Sequence, residues 1–305
     1  MKVQAVVLAC ALSTVVVTPG AQGAQQAKTE YRTFATPEDA VKALADAVKA
    51  GNLADVIAIF APEGKELAES SDPKTGQQNR QIFAVAFKEG WHLVDSGANK
   101  KTLVVGNEDW PFPVPLIKQS GKWRFDATAG KEEVIARRIG RNELAAIATC
   151  KTYVVAQERY AKDGHDGKPA GLYAAALRSD PGKSNGLYWP DVKGQKRSPV
   201  GDLVADASAA EGREPGSPLH GYYFRILTAQ GAHAPGGAKS YIVNGDMSGG
   251  FALVAWPAQY DASGVMTFVV DKTGAIRQKD LGPDTATVVK AMTAFDPDKS
   301  WSVVH

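Results

Sequence analysis

Cysteine is nearly missing from this chain: Cys10 and Cys150 are the only two in 305 residues. If the first leaves with an N-terminal leader, Cys150 stands alone. No intramolecular disulfide can then form, and stability must rest on packed cores. An excess of one charge is also lacking. Lys and Arg number 35 against 33 Asp and Glu, a net charge of +2, and no polybasic block or basic stripe occurs. The sequence therefore lacks the electrostatic footprint of a nucleic-acid or membrane-surface binder. The apolar run at residues 3–17 falls short of the roughly 20 residues that a spanning helix needs. The five histidines, His92, His165, His220, His233 and His305, show no two-His helical spacing of a metal site. No Gly-rich phosphate loop opens a helix. No carboxylate pair or His-carboxylate pair recurs at a spacing suited to acid–base work. No catalytic residue and no cofactor is assigned.

What is present starts with a leader. Residues 1–23 read as a secretory signal peptide: Lys2, the apolar core, a Pro19-Gly20 break, and Ala21-Gln22-Gly23 as a small-residue cleavage site. This predicts export to the periplasm or cell surface with no membrane insertion after cleavage; a retained anchor is the alternative. Val7-Leu8-Ala9 before Cys10 touches on a lipoprotein signal, but the chain stays apolar through residues 11–17. Without Lys2, 34 basic residues balance 33 acidic ones. Residues 24–33 read as a disordered linker.

Regular structure is expected from residue 34. Thr36 can cap a helix with Pro37 at its first position and Asp39 at the reciprocal position, with Phe34 packing back. Ala40, Val41, Leu44, Ala45 and Val48 recur at helical spacing until Gly51. Further helices are predicted over 53–60 and 78–89. Strands follow at 92–95, 101–105, 112–118 and 122–127, with a turn between the last two. Helices followed by a curved sheet make 34–130 an α+β domain.

Gly130 marks the junction to a second unit, 131–305. A long helical pattern covers 131–162, then an irregular, Gly- and Pro-rich stretch to 198 with a short helix at 172–177. Another helix is expected at 199–210. From His220 to Gly282, strand-length apolar runs alternate with Gly, Pro and Asp-rich turns, the pattern of a small antiparallel meander. A final helix covers 285–294. Cys150 lies in the long helix and reads as a small buried residue.

Several segments invite a chemical reading. Gly245-Asp246-Met247-Ser248-Gly249-Gly250 is one residue too long for the serine-protease signature, so its nucleophile register is broken, and it reads as a loop between strands. Asp163-Gly164-His165-Asp166-Gly167 looks like part of a calcium loop, with Asp163 and Asp166 as hard oxygen ligands. Lys162 and Lys168 oppose a cation there, and a solvated turn is the competing reading. Trp91, Trp110 and Trp123, with Phe112 and His92 nearby, could line a small-molecule cavity against the curved sheet or serve as plain core. An acid–base site in the same place would draw on His92, Asp95 or Glu108. His220 opens the strand region and is either a ligand contact or a hydrogen-bonding anchor for the strand start.

The layout of 34–128 resembles the cone-shaped nuclear-transport-factor-2-like folds. Asn142-Glu143-Leu144-Ala145-Ala146-Ile147, with the segment from Tyr153 to Tyr160, resembles the helix of type IV pilin heads. Thr267-Phe268-Val269-Val270-Asp271-Lys272-Thr273-Gly274-Ala275-Ile276 is similar to their closing hairpin. Here the helix is internal and carries Lys131, Glu132, Glu133, Arg137, Arg138 and Arg141, which argues against a filament subunit. Gly186-Leu187-Tyr188-Trp189-Pro190, Ser198-Pro199-Val200-Gly201-Asp202-Leu203-Val204 and His220-Gly221-Tyr222-Tyr223-Phe224-Arg225-Ile226 are more specific. With Gly249-Gly250-Phe251-Ala252-Leu253-Val254-Ala255 and Gln278-Lys279-Asp280-Leu281-Gly282-Pro283, they resemble the bacterial family called domain of unknown function 2950, in order and over most of the chain. That resemblance implies an exported bacterial protein and confers no reaction.

The expectation is thus an α+β protein with a cone-like domain followed by a pilin-head-like long helix packed on an antiparallel sheet. Its expected role is that of a non-enzymatic binding or interaction module in the envelope, its partner an envelope protein or a small ligand. The alternatives are an enzyme with a pocket in the first domain or at the junction, and an accessory of a pilus or secretion apparatus.

Overall fold

In the computed structural model, residues 31–68, 73–194, 196–200 and 217–304 are described. The expected leader, most of the linker and most of the helix expected at 199–210 fall outside them. The first half opens with α1 (Pro37–Lys49). Its capping box closes as the sequence implies: Thr36 Oγ1 accepts from Asp39 N at 3.1 Å, and Asp39 accepts from Thr36 N at 3.3 Å. A cap of this kind is worth about 1 kcal/mol. Helices α2 (Leu53–Ile59), α3 (Gly64–Ala68) and α4 (Pro73–Glu89) follow.

The first sheet contains β1 (Trp91–Gly97), β2 (Lys100–Val105), β3 (Trp110–Pro111), β4 (Leu116–Gln119) and β5 (Lys122–Phe125). Its order is β1-β2-β4-β5, with β3 beside β2. Of the strand expected at 112–118 only the end forms, in β4, because Pro113 and Pro115 remove ladder donors; β3 lies before it. The face of the sheet turned to the helices carries Leu103, Val105, Leu116 and Phe125, which form one core with Ala40, Val41 and Leu44 of α1.

The connecting helix α5 (Ala127–Ala161) is 35 residues long, about 50 Å at 1.5 Å per residue. It begins four residues before the expected start. Ala127 is buried in the first core, while Ala146, Cys150, Tyr153, Ala156 and Tyr160 are buried in the second. Gly130 does not interrupt the helix. It allows α5 to press on β4's approach, since a Cβ there would lie 2.7 Å from Val114 Cγ2. Arg137 ties the same stretch to the first half by donating to Pro111 O at 2.8 Å.

The second half holds β6 (Tyr222–Leu227), β7 (Ala229–Gln230), β8 (Lys239–Ser240), β9 (Ile242–Val243), β10 (Asp246–Met247), β11 (Ala252–Pro257), β12 (Met266–Asp271), β13 (Ile276–Asp280), α6 (Thr285–Ala291) and β14 (Ser302–Val303). The main sheet is antiparallel in the order β14-β13-β12-β11-β6. Strands β11 and β12 are nearly continuously buried because α5 and α6 both pack on β11, and α5 also packs on β12. Arg225 of β6 holds the end of α6, donating to Met292 O at 2.8 Å. Tyr222 is fully buried and donates to Met266 O at 2.9 Å.

The short helix expected at 172–177 does not form. Tyr173 N donates to Met247 O at 2.8 Å, and Ala174 is bracketed by the fully buried Gln157. Gln157 Oε1 accepts from Ala174 N at 2.9 Å and its Nε2 donates to Ala174 O at 2.8 Å. The backbone polar groups of this stretch are therefore committed to tertiary partners. The α+β class is as expected. Among the described residues, no helix is long and apolar enough to cross a membrane.

Candidate functional site

The C-terminal end of α5 meets a tight turn and the returning residues 184–194 and 196–198, and two crevices open between them. Lys162 and Asp163 backbone N–H groups close on Tyr160 O, and Gly171 N donates to Ala161 O at 2.7 Å. His165 and Lys168 then exchange both backbone hydrogen bonds, 3.1 and 2.9 Å, across Asp166 and Gly167. Those two residues have φ of 48° and 78°, the pattern of a type I′ turn. Gly164 is required beside it, as a Cβ would lie 2.6 Å from Lys168 O.

This turn places the His165 ring flat on Tyr160, with centroids 3.9 Å apart and planes 14° apart. His165 Nε2 lies 3.0 Å from Tyr160 O. A carbonyl can only accept, so Nε2 carries the proton and Nδ1 is left as the imidazole's acceptor in the neutral ring. The buried indole of Trp189 stands edge-on to His165 at 5.7 Å and donates to Lys196 O at 2.9 Å. Burial raises the Tyr160 hydroxyl above its ordinary pKa, with the Asp166 charge adding to it.

The first crevice, about 290 Å³, is walled by Arg159, Lys162, Asp163, His165, Trp189, Lys196 and Arg197. Lys196 pairs with Asp163, and Arg197 with Asp191 at 3.3 Å. The hydrogen bond from Lys196 holds the Asp163 carboxyl below its usual pKa, with the charges of Lys196, His165 and Lys162 acting the same way. The second crevice, about 110 Å³, shares Asp163 and His165 with the first and adds Asp166, Lys168, Tyr173 and Asp246. Lys168 pairs with Asp246. One crevice is thus cationic, the other mixed, with the His165 ring as the partition.

Asp163 and Asp166, the two oxygen ligands suggested by the sequence, are both here but occupied differently. Asp163 binds Lys196, and Asp166 accepts from Ser184 N at 3.0 and 3.2 Å. Among the described residues, no three His, Cys, Asp or Glu side chains group as a metal site would require.

The aromatic set lies apart from this region. Trp91 is 36% exposed and rests on Phe87; Trp110 is 43% exposed, packed on Phe112 with Arg137 over its ring. Trp123 is buried in the first core. The interior against the sheet is filled by Phe60, Phe83, Phe112 and Phe125, with ring centroids 5.1–6.2 Å apart. His92, Asp95 and Glu108 all lie on the surface. His220 is exposed at a second two-residue turn, with φ of 48°, between Leu219 and Tyr222, which exchange backbone bonds at 2.8 and 3.0 Å.

Sequence reasoning passed over Arg159, Lys196 and Arg197, and named Lys162 only as a charge opposing a cation. The only signal was a pair of basic residues three apart at a helix end and a second basic pair 34 residues later, with nothing to say that they meet.

Residues 31–304 fit the family model described as protein of unknown function (DUF2950). No curated protein matches. No solved structure matches either.

Proposed function

This chain belongs to the DUF2950 family, and we propose that it is an exported envelope protein acting as a non-enzymatic binding module, with its site in the crevices at the end of α5. The observation that carries this reading is the built wall between them. His165, stacked on Tyr160 and hydrogen-bonded to Tyr160 O, is held rigidly between two charged clefts. A side chain fixed by packing and hydrogen bonding costs little further entropy on binding. The charged groups nearby include Lys, Arg and the ion-paired Asp163 and Asp246, donors and acceptors that can hold a polar ligand. The segment at 1–23 supports export to the periplasm or cell surface. The long helix on an antiparallel sheet is compatible with a pilin-head-like unit, and hence with a place in an envelope assembly.

The test has two parts. Protein recovered from its own envelope should begin at Ala24 by N-terminal sequencing. Isotopically labelled protein mixed with a small-molecule extract of that envelope should show resonance shifts clustered around His165 and Trp189. Retention of the leader would sink the export reading. Turnover of any extract component, lost on a single polar-to-Ala change in a folded variant, would sink the non-enzymatic one.

A further inference from the structure

The larger crevice has a charge that its described neighbours do not balance. Arg159, Lys162, Lys196 and Arg197 face the single carboxylate of Asp163 in its wall. Asp163 is taken by Lys196, and Arg197 is paired with Asp191. Arg159 and Lys162 have no carboxylate partner among the described residues. Among the described residues, two positive charges therefore stand without a carboxylate partner on one side of the crevice.

Basic residues at a helix C-terminus have an ordinary explanation, since they complement the helix dipole and its last carbonyls. That role is already filled here. Arg159 O and Tyr160 O accept from Lys162 N, Asp163 N also donates to Tyr160 O, and Ala161 O accepts from Gly171 N. His165 Nε2 adds a further donor to Tyr160 O. The chain's own backbone closes these carbonyls, leaving the Arg159 guanidinium and the Lys162 ammonium exposed and without a carboxylate partner among the described residues.

Resting on the binding reading above, we infer that this crevice takes a doubly charged phosphate monoester of small size. Its net charge matches the two cations that have no carboxylate partner among the described residues. The guanidinium of Arg159 offers the planar, paired donors that fit phosphate oxygens, and Lys162 adds a point charge. A volume of about 290 Å³ lies at the lower end of ligand sites and suits a phosphate with a short organic tail. The same phosphate could arrive on a soluble ester or on a lipid headgroup.

The test is calorimetric titration of the purified protein with glycerol 3-phosphate, with phosphatidylcholine vesicles containing phosphatidic acid, and with succinate as a dicarboxylate control. Saturable binding of a phosphate probe is expected, weakening as salt screens the charges. The double variant Arg159→Gln/Lys162→Gln should weaken it by at least about tenfold, while Arg159→Lys/Lys162→Arg retains it and Arg138→Gln leaves it unchanged. Glycerol 3-phosphate binding would identify a soluble source, and vesicle binding alone a headgroup. Equal affinity for succinate, or full affinity in the double variant, would overturn the phosphate assignment and leave the binding reading intact. If no probe binds and the envelope extract also leaves the His165 resonances unmoved, both fall.

Discussion

His165 lies on Tyr160 with ring centroids 3.9 Å apart and only 14° between planes, and its Nε2 reaches back to Tyr160 O at 3.0 Å. One side chain thus locks the end of α5 to the turn that follows. Replacing it, His165→Ala, should remove an aromatic contact worth about 1 kcal/mol. It should also move the indole N–H resonance of Trp189, which touches the ring. An unmoved Trp189 resonance would mean that His165 does not organise the crevice.

Two glycines of α5 should respond in opposite directions. At Gly140 a Cβ would meet nothing within 4 Å, so Gly140→Ala gains helix propensity of up to about 1 kcal/mol. At Gly130 the same methyl would strike Val114 Cγ2 at 2.7 Å, and overpacking of this kind costs about 1–3 kcal/mol. Urea unfolding should raise the midpoint for the first variant and lower it for the second. Equal shifts would show that α5 is not pressed against the first core.

Gln157 is fully buried and satisfies both backbone groups of Ala174, while its Nε2 also donates to Tyr153 Oη at 3.1 Å. Gln157→Leu keeps the bulk but leaves the Ala174 N–H and C=O buried without partners, at about 1–3 kcal/mol each. Urea titration should show a loss of that order, with the loss largest around 172–177 in hydrogen exchange. Full stability in the variant would contradict the network.

The Cys150 thiol is buried in the second core, and burial pushes its pKa up to about 12. Thiolate is the reactive form. A chromogenic disulfide reagent at neutral pH should therefore leave the native protein unlabelled and react fully in denaturant. Rapid labelling of the folded protein would show that the core opens.

His233 and Asp296 form an exposed ion pair at 3.0 Å. The Asp296 partner raises the His233 pKa above 6.5, and the His233 hydrogen bond lowers Asp296 below 3.8. The His233 contribution to stability is complete below its unfolded value and fades as pH rises through the raised one. The Asp296 contribution is present above its unfolded value and fades as pH falls through the lowered one. Asp296→Asn should bring the His233 titration, followed by NMR, back toward 6.5. An unchanged titration would break the assignment.

Local signals were legible where local forces decide. The Thr36–Asp39 box and the alternation of strand-length runs with turns follow from neighbouring residues. Leu172-Tyr173-Ala174-Ala175-Ala176-Leu177 misleads because its helix propensity is overridden by Gln157 and Met247, which are distant in sequence. The candidate site divides the same way. Asp163, His165 and Asp166 stand out as a Gly-rich polar turn, but the chemistry depends on Lys196 and Arg197 folding back across 34 residues. No periodicity marks that return, since the stretch between has little regular structure to carry one. The exposed Trp91 and Trp110 show the converse: large aromatics suggest a cavity, yet four phenylalanines fill the interior.

Native mass spectrometry of the protein recovered from its own envelope tests the central claim most directly, with Arg159→Gln/Lys162→Gln prepared alongside. The account predicts a fraction of the wild type carrying an added small mass, released on gentle activation and absent from the double variant. A wild type as bare as the variant, or the same added mass on both, would contradict a binding site at the end of α5.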